Sequence, residues 1–185
     1  RPDRVELPEG AVWVDALDYD RLDLAATYPT DNLVPDGLLR GEVRGQGFVG
    51  GSGLGAHFAE RPGDSVAYTV PVERPVDDAV LLLRYRMPLE GSAGLRLSGL
   101  AEASVVLAGD EALALEALQV GRVGRGRHPL SITFVRGAPL ELDGLVLVGA
   151  DDVGRVRFVP LAASRVPRPR PRPRHAAHGP SSHAQ

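Results

Sequence analysis

The chain has 185 residues, 43% of them hydrophobic, enough for one domain with a core of its own. It has no cysteine, which excludes disulfides and thiolate metal sites, and no apolar run long enough to span a membrane as a helix. The formal charge is −3, but five of the 21 basic residues, all arginine, fall between Arg165 and Arg174; residues 1–164 alone carry about −8, a poor surface for nucleic acid.

Aromatic residues make up only 5%, leaving few stacking platforms for a sugar or a base. The chain begins at Arg1 without an initiator Met or an apolar leader segment, and so reads as a piece of a longer protein or a processed product. From the N-terminus, "AVWVDAL" is the first strand-like segment. It runs into an acidic stretch, "VDALDYDRLD", carrying Asp15, Asp18, Asp20 and Asp23. As a calcium loop this lacks the Gly and terminal Glu of an EF-hand, and it reads more simply as a solvated edge or turn.

Residues 27–55 form a connection longer than an ordinary hairpin loop. Its end, "GQGFVGGSGLG", spells the G-x-G-x-x-G of a dinucleotide-binding loop. That loop needs a buried strand before it and a helix opening after it. Here polar "LRGEVR" precedes the motif and "GSGLG", which cannot open a helix, follows. The glycines therefore read as a turn leading into a strand at 56–58. "GGSGL" also approaches a nucleophile elbow around Ser52, but Leu54 stands where the last glycine belongs and the strand–turn–helix context is missing. His57 and His128 have neither the spacing of a zinc pair nor catalytic partners in the sequence, and they read as structural imidazoles.

From residue 65 the pattern is that of strands. In "SVAYTVPV", Val66, Tyr68 and Val70 alternate with Ser65, Ala67 and Thr69, the period of a half-buried strand. In "LLLRYRM", Leu81, Leu83, Tyr85 and Met87 share one face and Arg84 and Arg86 the other. "GLRLSGL", "HPLSITFV", "LELDGLVLV" and "VGRVRFVPL" follow, with turn signals about every 8–12 residues, the spacing of a sandwich or barrel. "DEALALEALQV" (110–120) has good helix formers but alternates Leu with Ala between strand-like neighbours, and reads as a strand. Residues 65–72, 80–87, 130–135 and 142–148 are thus expected as strands with apolar faces inward. The last stretch, "RVPRPRPRPR" and onward, alternates Pro with Arg, which favours extended polyproline II and leaves nothing to bury. The expected organisation is a β-sandwich over 1–164 and a disordered Pro/Arg-rich tail over 165–185.

Three segments in order resemble carbohydrate-binding modules of families 6 and 35. "VDALDY" is similar to their "EAEDY" opening. "GGSGLGAHFAERPGDSVAYTVPV" and "AVLLLRYR" resemble their glycine-rich turn, "GDxVxYxV" strand and "LRYA" strand. "GRHPLSITF" and "LELDGLVLV" resemble their closing strands. The resemblance covers roughly residues 11–148. It implies an all-β jelly-roll sandwich of two antiparallel sheets without catalytic activity. It also implies an accessory module of a secreted glycoside hydrolase or other glycan-active enzyme, its partner a polysaccharide or oligosaccharide rather than nucleic acid or a membrane.

Carried onto this chain, the family's structural calcium (Ca2+) falls on Asp15 and Asp143, while its middle ligand falls on Leu17, implying an ion weakly held or absent. The family's cleft aromatic after the "LRYA" strand has no counterpart in "RMPLEGSAGL", and its Asn position is taken by Glu141. The implied ligand set is Tyr28, Asn32 and Asp36 from the long connection with Arg86 and Glu141. Two readings stand side by side: a sugar-binding module with unusual contact residues, or a structural domain packing on a catalytic domain of the same longer chain. A large apolar patch on one sheet face would favour the second.

Alternating Pro removes every second backbone donor from the tail, and repeated Arg keeps it solvated. Truncation after residue 164 should leave the thermal midpoint unchanged; a fall of several degrees would show that the tail packs on the body.

Overall fold

The computed structural model describes residues 3–25 and 38–160. The expected tail and part of the long connection lie outside the described residues. Thirteen strands form among them: β1 (Asp3–Glu6), β2 (Val12–Asp15), β3 (Arg21–Asp23), β4 (Glu42–Arg44), β5 (Ser52–Leu54), β6 (Ser65–Val72), β7 (Val76–Arg86), β8 (Gly91–Gly99), β9 (Ala103–Gly109), β10 (Ala114–Val123), β11 (Gly126–Gly137), β12 (Glu141–Gly149) and β13 (Arg157–Pro160). The single helical piece described is a 3-10 turn at Ala150–Arg155. No helix among the described residues is long and apolar enough to cross a membrane.

All pairings are antiparallel, and they build an all-β sandwich. One sheet runs β10-β7-β12-β5-β4, with β2 alongside β12; the other runs β3-β6-β11-β8-β9. The far edge of β12 is shared, with β2 opposite residues 144–147 and β5 opposite Leu142. Period-two patterning decides what lies between the sheets. Val66, Tyr68, Val70 and Val72 of β6 meet Leu81, Leu83 and Tyr85 of β7, with Leu95, Leu97, Leu130, Ile132, Phe134, Leu145 and Leu147 completing the core. A fully buried Leu or Phe of this kind contributes roughly 1.5–3 kcal/mol. The Tyr68 hydroxyl, sealed in the core, donates to the Ala16 carbonyl at 2.7 Å, so its burial leaves no donor stranded.

The outer face of β7 and β12 is also buried, which half-buried alternation did not anticipate. Val80, Leu82, Val146 and Val148 form a second cluster, joined by Leu7, Trp13, Val153, Val156 and Phe158. The cover comes from the segment after β1, from Trp13 of β2, from the 3-10 turn and from Phe158 of β13, which pairs with β1 in a two-stranded sheet, Val5 opposite Phe158. Sequence patterning gave no sign of β1, β3 or β9. The glycine-rich stretch is a turn as expected, but the strand it feeds is β5, four residues before the expected 56–58. Residues 56–60 instead form a bend with His57 and Ala59 at φ 65° and 56°. Buried Asp64 stabilises this bend by accepting the backbone N–H groups of Glu60 (3.2 Å), Arg61 (2.9 Å) and Ala25 (2.9 Å).

On the outer side of β12 the indole of Trp13 lies against Gly144, and T-stacks on Phe158 with centroids 5.7 Å apart. A Cβ at Gly144 would stand 2.6 Å from the Val14 carbonyl oxygen and closer still to the Trp13 ring. Gly144→Ala should therefore destabilise the fold by about 1–3 kcal/mol, because the β2–β12 ladder must shift to admit the methyl. Denaturant melts check this; an unchanged midpoint would contradict the packing.

Candidate functional site

Along the outer row of β7 the side chains change from apolar to cationic: Val80 and Leu82 lie under the small sheet, then Arg84, then Arg86. Each arginine faces a carboxylate on β12. Arg86 Nε donates to Glu141 Oε2 at 2.9 Å, and Arg84 Nη1 donates to Asp143 Oδ2 at 2.7 Å. Each also holds the glycine-rich turn by a carbonyl, Arg86 Nη1 reaching Gln46 at 3.3 Å and Arg84 Nη1 reaching Gly47 at 3.0 Å. The Arg86 guanidinium stacks 4.2 Å above the ring of buried Phe48. Glycine is required beneath this arrangement: a Cβ at Gly53 would stand 2.7 Å from the Leu142 carbonyl oxygen and meet Phe48.

The turn, the β7–β8 loop and the β9–β10 loop enclose a cleft of about 550 Å3, open to solvent. Gln46, Arg84, Arg86, Pro88, Glu111 and Leu113 line it. A shallower hollow of about 530 Å3 continues beyond Pro88 and Glu111, past Leu89 and Asp110. Among the described residues the cleft carries hydrogen-bonding groups of both charges and apolar contacts from Pro88 and Leu113, and no aromatic ring lines it. Such a surface suits a neutral polyhydroxylated ligand better than an anion, because both cations already face carboxylates.

Of the residues the resemblance placed here, Arg86 and Glu141 do meet, at paired positions of β7 and β12. Arg86 lines the cleft, while Glu141 holds it from beside the turn. Tyr28, Asn32 and Asp36 lie outside the described residues. Sequence reasoning did not single out Phe48, Gln46, Arg84 or Glu111. Phe48 was the one available signal, an aromatic inside a glycine-rich run. The residues considered for catalysis are separated in the fold. Ser52 is in β5, His57 lies 3.8 Å from Glu60 in the 56–60 bend, and His128 on β11 contacts the Gly124 carbonyl at 2.7 Å.

Asp15 and Asp143 are brought close, since Asp15 pairs with Gly144 across the β2–β12 ladder. Calcium takes about six to eight oxygens, mostly uncommitted carboxylates and carbonyls. Here Asp143 Oδ1 accepts the Val49 N–H at 2.9 Å and Oδ2 faces Arg84, while Asp15 Oδ1 accepts the Leu17 N–H at 2.9 Å. No group of three or more His, Asp or Glu among the described residues is arranged to hold a metal ion. The donors present do not fit a calcium shell.

Burial, reinforced by the charges of Asp143, Asp18 and Glu42, lifts the Asp15 carboxyl from 3.8 to about 6, against the lowering effect of the Leu17 N–H. Between those values the folded protein binds more protons here than the unfolded chain. The contribution of Asp15 to stability is thus complete below pH 3.8, falls as pH rises towards 6, and is flat above. Asp15→Asn, melted in calcium-free buffer across this range, should lose that segment of slope. An unaltered profile would show that Asp15 titrates as an ordinary surface carboxylate.

No known family profile matches the chain, and no curated protein matches it in sequence. Solved structures do match in fold. An exo-β-1,3-galactanase from Phanerochaete chrysosporium superposes with a TM-score of 0.53 at 14% identity, over 75% of this chain and 29% of that one. A GH26-CBM35 β-(1,4)-mannanase from Podospora anserina gives 0.50 at 16% identity, over 76% of this chain and 28% of that one. The chain thus spans under a third of the length of either enzyme. At these identities the likeness is one of fold: a β-sandwich that recurs as a segment of glycan-active enzymes.

Proposed function

We propose that this chain is a non-catalytic carbohydrate-binding module, an accessory domain of a larger glycan-active enzyme working outside the cell. It binds a neutral oligosaccharide or polysaccharide segment in the cleft beside Arg86. The observation that carries this reading is the cleft itself. Three loops at one end of a β-sandwich converge on a solvent-open hollow in which Arg86 is held in place by Glu141 and the Gln46 carbonyl before any ligand arrives. Preorganisation matters for a sugar, because its hydroxyls exchange water for protein partners with little net gain unless the partners are already fixed. Gln46, Arg86 and Glu111 supply donors and acceptors for hydroxyls, and Pro88 and Leu113 supply the apolar contact for a sugar face. The segment likeness to two glycan-active enzymes supports the accessory role.

The competing reading, a domain that only packs on a partner, wants an exposed apolar sheet face. The one apolar outer face among the described residues, on β7 and β12, is covered by the chain's own Leu7, Trp13, Val153, Val156 and Phe158. Exposed large hydrophobics (Leu39, Leu89, Val106, Leu115, Val135) are spread over different elements.

Affinity gel electrophoresis against a panel of soluble polysaccharides tests the proposal. Retardation by at least one neutral glycan is expected, and Arg86→Ala should weaken it about tenfold, the equivalent of one lost charge-assisted hydrogen bond. No retardation by any glycan, or an Arg86→Ala variant that binds as the parent does, would refute it.

A further inference from the structure

Asp143 has no solvent exposure, and the Arg84 side chain is only 9% exposed. Around this pair five parts of the described chain converge. β12 supplies the carboxylate and β7 the guanidinium. The glycine-rich turn supplies the Gly47 carbonyl and the Val49 N–H. β13 lays Phe158 over the guanidinium, 4.1 Å from ring centroid to Cζ. The segment after β2 attaches through the Ala16 N–H, which donates to the Asp143 carbonyl at 3.0 Å. A carboxylate at the centre, a carbonyl oxygen drawn in, and separate segments gathered round one positive charge are what a bound metal ion produces. Here the positive charge is covalently part of β7.

We propose that the Arg84 guanidinium serves as a built-in structural cation, neutralising Asp143 and clamping the glycine-rich turn, so that this domain is assembled without calcium. A guanidinium suits the position chemically. It stays charged at any ordinary pH, its planar fork serves a carboxylate and a carbonyl together, and its flat face accepts an aromatic cover that a hydrated ammonium would tolerate poorly. A consequence is that chelators cannot remove the charge. The inference does not depend on what the cleft binds, since it concerns only what holds the turn.

Thermal melts of the full chain test it. The parent protein should melt at the same temperature in millimolar calcium and in excess chelator. Arg84→Met, which keeps the length of the side chain but strands a buried carboxylate, should lower the midpoint by about 10 °C. Arg84→Lys, which keeps the charge and loses the fork, should melt between the two. If Arg84→Met does not fold, the parent's indifference to calcium and the partial stability of Arg84→Lys still decide the matter. A parent midpoint that rises with calcium would overturn the proposal. So would an Arg84→Met variant as stable as the parent or as Arg84→Lys.

Discussion

A carboxylate sealed from water must meet a cation and hydrogen-bond donors, or give up its charge. Asp143 is sealed on every side, and the arrangement of this end of the sandwich follows from how it is met. Arg84 has to point outward from β7, against the apolar habit of that row, and Phe158 has to arrive from the far end of the chain to cover it. The glycine-rich turn has to fold down until Val49 and Gly47 reach the pair. The same descent brings Gln46 and Phe48 against Arg86, and so gives the cleft its wall. The electrostatic requirement of one buried side chain thereby shapes a surface that the solvent sees.

Much of the fold was legible because strand alternation is a local signal. β6 coincides with its expected limits, 65–72; β11 and β12 contain theirs with additions at the ends, and β7 starts four residues before the expected 80–87 and stops one short of its end. Residues 114–123 became a strand despite their helix-forming composition, because pairing with β7 along its length outweighs a propensity worth a few tenths of a kcal/mol per residue. What escaped was everything decided at a distance. β1 is four residues and means little alone, and the strand-like segment that holds β13 gives no hint of its partner; the two meet where Phe158 packs on the apolar outer face of β7 and β12. Arg84 and Asp143 are 59 positions apart, and neither neighbourhood announces the other. The resemblance to known modules located Arg86 and Glu141 correctly as neighbours. The calcium it implies at Asp15 and Asp143 meets carboxylate oxygens already engaged by the Val49 and Leu17 N–H groups and by Arg84.

Scarcity of aromatic residues has a physical corollary in the cleft. Trp13 and Phe158 are committed to the outer cluster and Phe48 to the support of Arg86. If the cleft binds a glycan as proposed, its described residues offer directional hydrogen bonds around Arg86 rather than a stacking platform. Such an arrangement distinguishes ligands by the placement of hydroxyls and gains little from ligands of greater apolar area.

The pairing of β1 with β13 sets Asp3 opposite Pro160 and Glu6 opposite Arg157, so both ends of the described body leave it from one spot. Mechanically this is a zipper rather than a shear clamp. Tension between those two points would load the ladder one residue pair at a time, beginning at Asp3 and Pro160, and the sandwich behind it would bear no force until the fourth pair had opened. Because Phe158 sits third in that ladder, such a pull would strip away the aromatic cover of Arg84 before any force reached the sandwich.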